Sequence, residues 1–230
     1  MISTIDVYPD PVGVDESTVV SPEMAHPYGA HRYALEQWVR QNVSDSLIVR
    51  LPALYGANLK KNFIYDLIHI IPSALKAEKY EELAQKAPML RSVYARRNDG
   101  FYQCVAEESQ RPALKKLFED LGFTALNFTD SRATYQFYNL AYLWEHICTA
   151  LHFGWPLLNL AVEPLRASEL YQAVMGRDFQ NLLGVRIATY DAKTKYAELF
   201  GGSDGYIFRK DRVLRDVCTF VNEKRREGRA

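Results

Sequence analysis

Short apolar runs alternating with helical stretches constrain this chain more than any other feature. Ser46 to Leu51 (SLIVRL) and Leu157 to Val162 are each six residues long and rich in Leu, Ile and Val. Runs of that length suit strands covered on both faces, as in a parallel sheet. They are far below the roughly 18–20 residues that a membrane span needs, and so is Phe63 to Ile71. Between them lie helical stretches with clear punctuation. Pro27 opens Tyr28 to Asn42, Gly122 closes Pro112 to Leu121, and Gly176 closes Ser168 to Met175. Asn62 to Leu75, with Pro72 as a break, Glu78 to Lys86, Asn139 to Phe153, Ala192 to Phe200 and Arg212 to Arg225 also read as helices. Further strands are expected at Met1 to Tyr8, Phe101 to Val105 and Val185 to Thr189. Strand, helix, strand, helices, strand, helix is the order of an α/β layer.

Charge narrows the possible partners. Lys plus Arg and Asp plus Glu are both 28, so no global field would hold a polyanion, and a nucleic-acid partner is not expected. The basic cluster Lys224, Arg225, Arg226 and Arg229 reads as a solvated helix end. Cys104, Cys148 and Cys218 form no C-x-x-C. Three widely spaced thiols fit a reducing cytoplasm, each as a small buried apolar group. His146 and His152 are six apart, a spacing that does not stack two metal ligands on one helix face. There is no positively charged leader before a long apolar core.

Three phrases in order carry a resemblance. They are STIDVY (Ser3 to Tyr8), HPYGAHR (His26 to Arg32) and VRLPALYG (Val49 to Gly56). SRATYQFYNLAYL, LLNLAVEPLRASEL and TYDAKTKYAELFG follow from Ser131, Leu157 and Thr189. Together they resemble the extended short-chain dehydrogenase/reductases, the NAD(P)-dependent epimerases and dehydratases of nucleotide sugars. Tyrosine followed four residues later by a cation occurs twice, at Tyr28/Arg32 and Tyr206/Lys210, about as often as chance allows. The ordering is what distinguishes the first. Thr4 stands 24 residues before Tyr28, which opens a helix, and a strand ending in RLPALYG follows.

The resemblance implies a partial Rossmann-like α/β fold, with only the last strands of the parallel sheet and a mostly helical substrate-binding region. Residues 1–56 would be the remnant of the dinucleotide-binding core. Residues 57–230 would bind substrate, interleaved with the last core strand near 157–162. Tyr28 would be the acid/base, Thr4 the hydroxyl that orients substrate, and Arg32 the cation beside the phenol. A tyrosine titrates near pH 10, and a cation one turn away on the same face favours its phenolate. Tyr28, Arg32 and Pro52 would contact NAD or NADP; Asn62 and Arg132 would hold the nucleotide and diphosphate of a nucleotide-sugar-like ligand.

The chain departs from the family at Arg32, where lysine is usual, at His31 and at Ala53. No G-x-x-G-x-x-G or G-x-G-x-x-G occurs, and the adjacent Gly201 and Gly202 follow a helical stretch. The isolated chain is therefore expected to be inactive and to need a complementing chain or a homo-oligomer. The alternative is a non-catalytic remnant or regulatory partner with at most a nucleotide-sugar pocket.

Overall fold

In the computed structural model the described residues are 1–60, 62–184 and 186–227. The chain begins with β1 (Ile2–Thr4), α1 (Pro27–Asn42), β2 (Ile48–Leu51) and β3 (Ala53–Tyr55). Next come α2 (Phe63–His69), β4 (Ala74–Leu75), α3 (Ala77–Lys86), α4 (Leu90–Val93), β5 (Tyr94–Arg96), β6 (Tyr102–Cys104) and α5 (Arg111–Asp120). It ends with β7 (Thr134–Tyr135), β8 (Phe137–Asn139), α6 (Leu143–His152), β9 (Leu157–Asn159), β10 (Leu165–Arg166), α7 (Ala167–Met175) and α8 (Lys210–Glu227). Two compact units result: Met1–Asn62 together with the chain from Asp130 onward, and Phe63–Thr129.

The first unit is built on a parallel sheet of order β1-β2-β9, with Thr4 opposite Leu51 and Arg50 opposite Asn159. A second parallel pair, β3 with β8, and an antiparallel pair, β10 with β7, extend the α/β layer. Pro27 starts α1 where a missing N–H costs nothing, and the His26 ring accepts from Tyr28 N. α1 buries only Gly29 and Glu36, so its inner face is not apolar. A Cβ on Gly29 would stand 2.0 Å from the Asp6 carbonyl oxygen, so only glycine lets the helix lie this close to the exit of β1.

A buried polar network ties helix to sheet. Arg50 donates to Glu36 through Nε (3.0 Å) and Nη2 (2.6 Å), and to the Tyr8 hydroxyl through Nη1 (2.7 Å). Ser3 Oγ adds a third hydrogen bond to Glu36 at 2.5 Å. Burial raises the Tyr8 phenol above its ordinary range although Arg50 draws it down, so it stays a donor, here to the Asp15 carbonyl.

The second unit has its own core of Leu75, Leu83, Leu90, Leu114 and Phe118, each nearly or fully buried. Its sheet order is β4-β6-β5, all antiparallel. α4 is a single turn of four residues, and α3 exposes Glu78 and Glu82. Asp66 in α2 has no hydrogen-bond partner for its carboxylate among the described residues, and burial raises it to about 7. The unfolded chain releases this proton near pH 4, so stability should fall as pH rises from about 4 to 7. Asp66→Asn should melt higher than wild type at pH 8, by on the order of 3 kcal/mol, and lose that slope. Melting curves that stay parallel across pH 4–8 would contradict this.

Several sequence expectations are corrected. The helix expected over Asn62 to Leu75 stops at His69, because Ile70 turns left-handed (φ 61°) ahead of Pro72, and Ala74–Leu75 is a strand. Asn139 belongs to β8 and caps a 3-10 turn through Ala141 N, after which α6 begins. Only Ala197–Phe200 of the expected 192–200 helix is helical. Ahead of it, Lys193 N and Thr194 N bond out to Val14 and Gly205, which holds the chain extended. Arg186 to Thr189 form no strand beyond a bridge at Thr189, and Val185 lies outside the described residues, as does Arg229. Cys148 is exposed and the other two thiols are partly exposed, so none is the buried group expected. His146 is buried against the Tyr138 hydroxyl (2.7 Å), and burial lowers it to about 4. Among the described residues no three His, Cys, Asp or Glu side chains gather for a metal, and no helix is long and apolar enough to cross a membrane.

Candidate active site

The parallel strands β1 and β2 end side by side, and the chain leaves them through Ile5–Asp6 and Pro52. In open α/β sheets ligands gather outside these carboxyl ends. A cleft of about 350 Å³ opens there, lined by Asp6, His26, Tyr28 and Tyr190 between Pro9 and Pro11. Tyr28 is half-exposed, and the Arg32 guanidinium lies 5.8 Å from its ring centre, one turn along α1. Among the described residues Arg32 has no carboxylate partner, so its charge is spent on the phenol and on solvent.

Thr4 is buried, and its hydroxyl is already engaged. It accepts from Asp6 N (3.2 Å) and donates to Asp6 Oδ2 (3.1 Å). Tyr190 donates to Asp6 Oδ1 at 3.0 Å, and burial pushes the Tyr190 phenol up to about 12. Asp6 is thus a carboxylate fixed by two hydroxyls and lining the same cleft as Tyr28. Sequence reasoning passed over it because an Asp after a strand reads as loop chemistry.

The remaining positions are dispersed. Pro52 is buried at the β2–β3 junction. Asn62 Nδ2 donates to the Leu54 carbonyl at 2.5 Å, pinning the exit of β3. Arg132 grips Asp130 with Nε (2.9 Å) and Nη2 (2.8 Å), which holds that carboxyl well below the usual range. It lines a different cleft, of about 320 Å³, with Arg166, Ser168 and Gln172; this cleft shares no residue with that of Tyr28.

No protein-family model matches the chain, and no curated protein matches it. Solved structures do. RMD from Pseudomonas aeruginosa, complexed with NADPH, is 13% identical over 98% of this chain and 66% of its own, with a TM-score of 0.54. The fold is theirs. UDP-N-acetylglucosamine 4-epimerase from Methanobrevibacter ruminantium M1, in complex with UDP-N-acetylmuramic acid, is 13% identical over 96% and 61%, at 0.53. The dTDP-glucose 4,6-dehydratase from Bacillus anthracis, in complex with NAD, is 11% identical over 99% and 62%, at 0.51. The chain spans about two thirds of the length of each, and at these identities the shared property is a Rossmann-like α/β fold.

Proposed function

We propose that this chain is the acid/base and sugar-nucleotide side of an NAD(P)-dependent epimerase/dehydratase-type protein, truncated relative to the complete enzymes and working in the cytoplasm. The observation that carries the reading is the meeting of Tyr28 and Asp6 at one cleft beyond β1, with the Arg32 guanidinium 5.8 Å from the Tyr28 ring centre. Tyr28 takes or returns the proton of a substrate hydroxyl, and Arg32 supplies the adjacent positive charge. Asp6 is a second proton-accepting group on the same wall, oriented by Thr4 and Tyr190.

The residues present do not fit a whole dinucleotide. Tight binding in this fold needs backbone amides at a glycine-opened helix, and among the described residues no such turn follows a strand of the parallel sheet. The one glycine opening α1, Gly29, is filled by Asp6. By resemblance Tyr28, Arg32 and Pro52 would meet the nicotinamide end alone, and no step here runs through the cofactor. The free edge of β1, with Ile2 exposed, and the apolar residues Leu35, Trp38 and Val43 exposed on or just after α1 favour a second chain docking there.

The non-catalytic reading is favoured by the missing glycine-rich turn and by one feature of the site itself. The Thr4 hydroxyl gives its proton to Asp6 instead of facing a ligand. NMR titration with UDP-glucose and with dTDP-glucose tests the site itself. Saturable binding that shifts the ring signals of Tyr28 and Tyr190 is expected, and flat titrations with both sugars would end the proposal.

A further inference from the structure

The Tyr28 cleft keeps few hydrogen-bond donors free. Of the hydroxyls on or behind its wall, Tyr190 and Thr4 give their protons to Asp6, and Tyr8 gives its own to the Asp15 carbonyl. The Asp6 carboxylate offers only lone pairs. Two side chains with a proton to donate remain on the wall, the Tyr28 hydroxyl and the His26 ring. His26 is exposed at the N-cap of α1, and its Nδ1 accepts from Tyr28 N at 3.3 Å. A backbone N–H can only donate, so Nδ1 carries the lone pair and the neutral ring keeps its proton on Nε2. Among the described residues nothing else bonds to this ring. A serine or asparagine would cap the helix at least as well. The imidazole adds a second nitrogen beyond the capping one, and that nitrogen is a donor.

We infer that His26 Nε2–H holds the ligand oxygen whose proton Tyr28 exchanges, the task expected of Thr4. The inference deepens the proposed function and rests on it for Tyr28 as the acid/base. The ligand oxygen accepts from Nε2 while its own O–H bond breaks toward Tyr28. The electron pair stays on that oxygen, beside the donor that stabilises it. In reverse, Tyr28 returns the proton and the oxygen stays held. A ligand hydroxyl or carbonyl therefore fits this donor, and an ammonium group does not. Cap and contact form one device, because the residue that carries the phenol also fixes the tautomer of the ring. Pro27, with its locked φ, joins the two residues and keeps their spacing.

Long-range proton–nitrogen NMR of the intact, isotope-labelled protein at about pH 8, where imidazoles are neutral, reads the tautomer directly. The His26 proton should sit on Nε2, and UDP-glucose should move the Nε2 signal more than that of Nδ1. Two substitutions separate contact from cap. His26→Asn keeps a capping oxygen and has no nitrogen at the Nε2 position. It should melt no lower than wild type and bind UDP-glucose roughly 3- to 10-fold more weakly. His26→Gln puts an amide N–H near the Nε2 position and loses the cap, so it should recover most of the affinity while melting lower. A histidine that only caps would give the opposite order, with affinity kept in His26→Asn. That result, or a proton found on Nδ1, overturns the inference and leaves the proposed function standing if Tyr28 and Tyr190 still shift. UDP-glucose that shifts neither tyrosine nor His26 removes both.

Discussion

Glu36→Ala should cost this protein roughly 3–5 kcal/mol, a large part of the stability of an ordinary domain. The substitution strands Arg50, 2% exposed, without the carboxylate that takes two of its donors. Ser3 loses its acceptor in the same step. The double variant Glu36→Leu/Arg50→Met should recover much of that loss, since an apolar pair avoids desolvating two charges. Urea unfolding of the three proteins measures both effects. A Glu36→Ala midpoint equal to wild type would mean that Arg50 finds water or another partner, and that the network is dispensable.

Neither NAD(H) nor NADP(H) should bind the isolated chain with micromolar affinity, and the chain alone should show no dehydrogenase or epimerase turnover. Without a glycine-lined helix start, the pyrophosphate keeps its hydration, and on the proposed reading the side chains near Tyr28 would reach only one end of the cofactor. Supplying a chain that carries the missing turn should restore turnover, and Tyr28→Phe in that assembly should then lower it by about 10²- to 10⁴-fold. Calorimetry with both cofactors decides the first part. A micromolar isotherm from the chain by itself would show a dinucleotide site of another kind.

Much of the first unit is legible from local sequence signals. Pro27 marks the start of α1, the apolar run containing Ile48–Leu51 marks β2, and Gly176, left-handed at φ 69°, marks the end of α7. Each signal acts within a turn or a strand, so one sequence suffices to read it. The Glu36–Arg50 pair was legible in principle: an arginine inside SLIVRL must bury its charge or break the strand, and a partner had to exist. What sequence could not show is distance in space. Asp6 and Tyr190 are 184 residues apart and meet at 3.0 Å. Arg132 fits its motif position, yet its neighbour Asp130 claims its guanidinium. The helix expected at 192–200 failed for the same reason, because extended chain there is held by Val14, Gln136 and Gly205 from elsewhere.

Gly29 gives the site an unusual division of labour. The approach of helix to loop at Asp6 is fixed by backbone meeting backbone, so it does not depend on which side chains occupy the cleft. Side chains on that wall can therefore be exchanged, lysine for arginine or serine for histidine, without moving the platform that carries them. The reverse does not hold. One added methyl at position 29 would wedge the helix outward and carry Tyr28 away from Asp6 with every side chain intact. The chemistry of this wall is thus free to drift, while its geometry hangs on a position that carries no functional group.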